Sequence, residues 1–210
     1  MITHILFDLD NTLYSAAYGL EDRVYQRLIT YAADFLGVSI EEAAAMRGRS
    51  IAAYGTTLEW LMAEKGFSGV EEYLRVVHPE DEADALRFDP GLRPFLESLD
   101  RPLAILTNSP MFHAERILDK LRVRDLFPRV FDIWSNGLKG KPEPAAFYRA
   151  LDALGATPES TLFIDDNHRY VAGYNALGGR GLFLDEFDEM PQFPGPRITR
   201  LAQVGDFVGE

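Results

Sequence analysis

No cysteine occurs in this 210-residue chain, which removes disulfides, thiolate metal sites and a cysteine nucleophile, and agrees with a reducing compartment. Positive charge is scarce as well: 21 Lys and Arg against 33 Asp and Glu leave a formal net charge of −12. That balance argues against non-specific binding to nucleic acid or an anionic membrane, and no Lys/Arg cluster offsets it. An anionic substrate would need a locally positive site. No apolar run approaches the ~20 residues of a membrane span. The N-terminus enters Ile5-Leu6-Phe7-Asp8 without a basic region or a small-residue cleavage site. The expectation is a soluble, unexported, cytoplasmic protein. Histidine is rare: His4, His78, His113 and His168 form no i, i+4 metal pair, so surface or core roles are their default.

What is abundant is apolar surface, 47% of the residues, ample for a packed core. Short apolar runs at Ile2 to Phe7, Leu103 to Leu106, Val130 to Trp134, Leu162 to Ile164 and Gly181 to Leu184 read as strands, most of them covered on both faces. Helical patterns lie between them, at Gly91 to Leu99, Met111 to Leu121, Glu143 to Leu154 and His168 to Leu177. Alternation of this kind predicts an α/β fold, a parallel sheet with helices on both faces. Residues 15 to 88 break the alternation with helical spacing at Val24, Leu28, Tyr31 and Phe35. A connection so much longer than the usual ~2–6 residues predicts an inserted helical unit. The Pro-rich stretch Met190 to Pro196 reads as an irregular connection before a short final element around Leu201 to Val208.

The chemistry begins where the first run ends, in Phe7-Asp8-Leu9-Asp10-Asn11-Thr12-Leu13. Residues i and i+2 of a strand point to one side, so Asp8 and Asp10 are expected to project together. Two like charges at that range call for a cation, a shared proton or a reaction. An EF-hand loop is excluded, because Leu13 and Gly19 stand where its Gly and bidentate Glu belong. Further polar clusters end the later strands, where open parallel sheets place ligands. Thr107-Asn108-Ser109 suits a bound anion or an ordinary N-cap. Lys139-Gly140-Lys141-Pro142-Glu143-Pro144 offers a lysine either to a phosphate or to solvent, and its spacing is not that of a P-loop. Asp165-Asp166-Asn167 is a second acidic pair. Carboxylates without thiolates or a histidine cluster favour a hard cation such as Mg²⁺.

Taken in order, Asp8-Leu9-Asp10-Asn11-Thr12, Thr107-Asn108, Lys141-Pro142 and Asp165-Asp166 resemble the four motifs of the haloacid dehalogenase-like hydrolase superfamily. The likeness covers about residues 1 to 14 and 89 to 185. It implies a Rossmann-like three-layer core at 1–14 and 89–210, with a helical cap at 15–88. The wording Phe7 to Tyr14 is similar to the pyrimidine 5′-nucleotidase-like branch.

The resemblance implies a Mg²⁺-dependent phosphomonoester hydrolase. In it Asp8 is the nucleophile that forms an aspartyl-phosphate, and Asp10 is the acid and base. Mg²⁺ would be held by the Asp8 carboxylate, the Asp10 backbone carbonyl and Asp166, with Asp165 nearby. Thr107 and the Asn108 N–H, beside Asn11, would bind phosphoryl oxygens, and Lys141 would offset the charge of Asp8 and phosphate. The second aspartate, Asp10, favours phosphoryl transfer over dehalogenation. The expected substrate is a small phosphorylated metabolite, a nucleoside 5′-monophosphate in the first reading. The alternative is a sugar phosphate or phosphoglycolate, taken by a phosphatase or a phosphomutase. A non-catalytic binding protein should lack one of Asp8, Asp10, Lys141 or Asp166, and none is missing. Tyr14, Tyr18, Arg47, Arg49 and Tyr54 are the candidate cap residues. Asn167 and Tyr170 depart from the Ser and Asn that often follow the last motif.

Overall fold

The structure, a computed structural model, describes residues 1–209. Its chain order is β1 (His4–Phe7), α1 (Leu20–Leu36), α2 (Ile40–Ser50), α3 (Thr57–Lys65), α4 (Val70–Val77), α5 (Leu92–Ser98), β2 (Leu103–Leu106), α6 (Met111–Lys120) and β3 (Arg129–Phe131). It continues with α7 (Pro144–Leu154), β4 (Thr161–Asp165), α8 (His168–Asn175), β5 (Arg180–Leu184), β6 (Arg197–Ile198) and α9 (Gly205–Val208). The strands form one parallel sheet of order β3-β2-β1-β4-β5-β6. The chain runs outward from β1 to β3 and then returns to place β4 on the other side of β1, so the switch point lies at β1, where such sheets bind ligands.

Strand alternation divides the core into two layers. Ile5, Phe7, Leu103, Ile105, Leu162 and Ile164 face one cluster, which α5 and α6 cover with Leu92, Leu96, Ile117 and Leu118. Leu6, Ala104, Leu106 and Phe163 face the other, covered by Phe147 and Leu151 of α7 and Tyr174 of α8. Every residue of β2 and β4 is buried, which is why they read as continuous apolar runs. This is the expected Rossmann-like α/β arrangement of three layers.

Helices α1–α4 enter between β1 and α5 and gather an apolar cluster of their own, with Val24, Leu58, Trp60, Leu61, Tyr73 and Leu74 at its centre. No described helix is long and apolar enough to cross a membrane.

Two expectations fail locally. The run Val130 to Trp134 continues past the true strand, which stops at Phe131. The Asp132 carboxylate there accepts from the N–H groups of Met111 (3.0 Å) and Ser135 (2.9 Å) and turns the chain. Ile133 then packs with the inserted helices, and Trp134 is exposed. The Pro-rich connection also ends in a strand not foreseen, β6, whose Arg197 and Ile198 pair with Phe183 and Leu184.

Candidate active site

Asp8 follows β1 directly, and its N–H still donates to Ile164 O of β4 at 2.8 Å. The strand has ended by then, so Asp8 and Asp10 do not project as a strand pair. Asp10 lies in the turn that follows, and Asn11 there takes a left-handed φ of 53°, a conformation asparagine tolerates. The two carboxyl groups line one cavity yet have different partners.

Lys141 is the partner of Asp8. Its Nζ donates to Asp8 Oδ1 and to Asp165 Oδ2, both at 2.6 Å, in a fully buried bridge between the ends of β1 and β4. The ammonium also sits 5.1 Å from the ring centre of Tyr170 and 5.4 Å from that of Phe163, so two aromatic faces share the work of solvating it. Tyr170, a departure from the familiar motif, thus has a contact of its own. The lysine loop is held by Asn108, whose Oδ1 accepts from Lys141 N (2.7 Å) and whose Nδ2 donates to Lys141 O (3.0 Å). Gly140 permits that approach: a Cβ there would lie 2.3 Å from Asn108 Oδ1. Thr107 is buried and bonded through its N–H to Phe131 O (2.9 Å), while its Oγ1 accepts from Ser109 N (3.0 Å).

Asp10 has a different circle. Tyr14 OH donates to its Oδ1 at 2.6 Å, His113 Nε2 lies 2.8 Å from the same oxygen, and Ser109 Oγ donates to Oδ2 at 3.0 Å. Tyr14, expected among the cap residues, belongs to this acid instead. In the sequence His113 has only a default surface or core role, and Ser109 is only the last member of the Thr107-Asn108-Ser109 cluster. His113 Nδ1 in turn lies 2.8 Å from Glu82 Oε1, off the ring's N–H direction and hence an ion pair rather than an aligned hydrogen bond. His78 Nδ1 is 3.0 Å from Glu82 Oε2. Glu82 and His78 lie on the segment leading from α4 back to α5, and nothing in their local wording marked them.

Charge separates the two aspartates. Burial, joined by Asp165 and Asp10, pushes the Asp8 carboxyl up to about 7 against the pull of Lys141. Burial and Asp8 likewise push Asp166 up to about 7. Burial would also raise Asp10, but His113 and Tyr14 outweigh it and hold that carboxyl well below the usual range. His113, which burial alone would lower, is pushed up to about 10 by Asp10 and Glu82.

A cavity of about 220 Å³ opens above these groups, with Asp8, Asp10, Thr107, Lys141 and Asp166 on the sheet side. From the inserted helices come Glu21, Arg47, Tyr73 and His78. Glu21 escaped notice in the sequence; burial with Asp10 and Asp166 pushes its carboxyl up to about 8. Arg47 is the candidate cap residue that reaches the cavity, held by Thr57 Oγ1 at 2.7 Å. Arg49 is exposed, Tyr18 packs on the sheet-domain core, and Tyr54 packs among the inserted helices.

Carboxylate oxygens of Asp8, Asp165 and Asp166 lie within 4.8 Å of one another. Three buried or half-buried acids share one lysine, and Asp8 and Asp166 are both raised, so the donor set is short of positive charge and fits a hard divalent cation. Both oxygens of Asp165 have protein partners, Lys141 Nζ and the Asn167 N–H (2.7 Å).

A Rossmann-like sheet that ends in a buried aspartate held by a lysine, beside a second acid and a carboxylate set short of positive charge, has the groups that hydrolysis by a nucleophilic carboxylate requires. A family model for haloacid dehalogenase-like hydrolases matches residues 2–178, and the chain belongs to that family. It is similar to a phosphoglycolate phosphatase of Pectobacterium atrosepticum, 26% identical over 99% of this chain and 93% of that protein. A phosphorylated carbohydrates phosphatase of Thermotoga maritima is 29% identical over 52% of this chain and 53% of its own length. In fold it resembles a HAD phosphatase from Thermococcus onnurineus, with TM-score 0.67 and 21% identity across 99% of this chain and 98% of that one. These relatives agree with an enzyme of the phosphoric monoester hydrolase class. Their names match the phosphoglycolate or sugar-phosphate alternative better than the nucleotidase reading.

Proposed function

We propose that this phosphatase acts on a small phosphorylated metabolite of the phosphoglycolate or sugar-phosphate kind, with Asp8 as nucleophile. The observation that carries it is the buried Asp8–Lys141–Asp165 bridge at the floor of the cavity. A carboxylate meets a phosphate dianion productively only where fixed positive charge lowers their repulsion. Helices α1–α4, residues 15–88, serve as a cap over that floor.

In the first step an Asp8 oxygen bonds to phosphorus as the ester P–O bond breaks. The leaving oxygen takes a proton from the Asp10 carboxyl, which Tyr14 and His113 hold in place at Oδ1. In the second step Asp10 accepts a proton from water, whose oxygen bonds to phosphorus as the Asp8–phosphorus link breaks and Asp8 is regenerated. Asp10 Oδ1 is occupied by Tyr14 and His113, whereas Oδ2 accepts from Ser109 Oγ alone, so Oδ2 is the oxygen with room to meet the reacting groups. Thr107 and the Asn108 N–H hold the phosphoryl oxygens, with Asn11 beside them. Mg²⁺ fits the set formed by the Asp8 carboxylate, the Asp10 carbonyl and Asp166, where it supplies charge neutralisation for phosphate. Asp165 is the positioning acid for Lys141.

The cavity supports a small substrate, since its volume falls below the ~300–1,000 Å³ typical of sites for drug-sized ligands. Arg47, the one arginine among its lining residues, supports a second anionic or polar oxygen on the substrate. Phosphate release measured across phosphoglycolate, sugar phosphates and nucleoside monophosphates, with Asp8→Asn as blank, tests the reading. Preference for phosphoglycolate or a sugar phosphate is expected; a clear preference for UMP or CMP overturns it.

A further inference from the structure

Glu82 takes no part in the steps above, yet its fully buried carboxylate gathers four basic side chains. Arg116 NH1 lies at 2.5 Å, His113 Nδ1 at 2.8 Å, His78 Nδ1 at 3.0 Å and Arg27 NH2 at 3.9 Å. Arg116 also donates to Pro79 O at 2.9 Å, which ties the same segment to α6. Through one imidazole ring this cluster reaches Asp10, whose Oδ1 is 2.8 Å from His113 Nε2.

We infer that Glu82 and His113 are positioning residues for Asp10: the chain leaving the inserted helices fixes, through one ring, the carboxyl group that exchanges protons with the leaving oxygen and water. This rests on the role given to Asp10 above. His113 is fully buried and sits between acids on different elements, in contact with Asp10 at Nε2 and ion-paired with Glu82 at Nδ1. Asp10 Oδ1 is thereby committed, which leaves Oδ2, held by Ser109 Oγ alone, as the oxygen with room for a further partner. A carboxyl acid needs orientation within a few tenths of an ångström to transfer a proton productively. Glu82 also gives the imidazolium a counter-charge on the side away from Asp10, so the ring pairs with both acids at once.

A metal site is the competing use, because ligand atoms of His78, Glu82 and His113 lie within 4.8 Å of one another. Arg116 and Arg27 argue against it, since Glu82 already has its positive charge. A merely structural ion cluster is the other use, and it predicts a different experimental outcome.

The test compares kcat/KM for p-nitrophenyl phosphate and for phosphoglycolate in wild type, Glu82→Gln and His113→Gln. This parameter covers steps up to phosphoryl transfer, where nitrophenolate leaves with little help and an alkoxide needs its proton. Each variant is expected to lose about 10-fold or more on phosphoglycolate and less than about 3-fold on p-nitrophenyl phosphate, with competitive inhibition by inorganic phosphate within about 2-fold of wild type. Equal losses on both esters, or no loss on either, overturn the positioning role while leaving the proposed function standing. Failure of wild type to hydrolyse either ester overturns the proposed function and this inference with it. Should Glu82→Gln lose its cooperative thermal transition, His113→Gln decides by the same ratio.

Discussion

Two buried ionic clusters meet at the C-terminal end of this sheet, and their charge balances are opposite. Around Asp8, three carboxyl groups share Lys141. Around Glu82, one carboxylate is surrounded by two arginines and two histidines. The acids of the first cluster are pushed up, Asp8 and Asp166 to about 7, whereas Glu82 is held down at about 2 because His113 and His78 overcome its burial. Burial is common to both, so it does not decide the sign; the count of counter-charges does. A cluster short of positive charge is fitted to receive it, from a cation and with it a phosphate. A cluster that has it in excess is fitted to hold something still. Asp10 lies between the two, and its low carboxyl shows that the second cluster governs it.

The sharpest way to break this contrast is Asp8→Asn, which removes the proposed nucleophile and should cut phosphate release by about 10⁴-fold or more with the fold intact. Retained turnover, read by phosphate assay beside circular dichroism, would sink the assignment. Lys141→Ala should rank next and touch stability too. It strands two buried acids without a counter-charge, a loss of about 3–5 kcal/mol in chemical denaturation. Mg²⁺ at about 100 times its Kd should stabilise wild type by about 2.7 kcal/mol and leave Asp166→Asn nearly unmoved. Equal thermal shifts in the two proteins would count against Asp166 as a ligand. Gly140→Ala forces a Cβ onto Asn108 and should cost about 1–3 kcal/mol with a lower kcat. The last prediction concerns pH. Folded Asp8 and Asp166 keep protons that the unfolded chain loses at the ordinary 3.8, so in chelator their contribution falls as pH rises from about 4 to about 7. Glu82 acts the other way: its contribution is complete above its ordinary 4.5 and is lost as pH falls toward about 2. Melting curves of Glu82→Gln should lack the acid loss and keep the neutral one.

The sheet was legible because β1, β2 and β4 are buried on both faces and so read as unbroken apolar runs closed by polar residues. Asp8, Asp10, Thr107 and Asp166 were legible because each stands within three residues of a strand end, and Lys141 because it lies shortly before the start of α7. The relay was not. His78 and Glu82 sit four apart, as exposed helix pairs do, and their partner His113 is brought to them only by the docking of α6. Tyr14 stood among the candidate cap residues because the sequence shows its spacing to Asp10 but not the turn that folds it back. Strand β6 hid behind Pro194-Gly195-Pro196, where two residues of pairing leave no period to read.

The clasp between Asn108 and Lys141 has a consequence for heredity. Position 108 belongs to one motif and positions 140 and 141 to another, but the amide, the missing Cβ and the lysine backbone form one interlocking part. A change at any one of them is judged by the other two. Diversifying them separately therefore samples mostly broken combinations, and a library that draws all three together is the economical way to explore this corner of the enzyme.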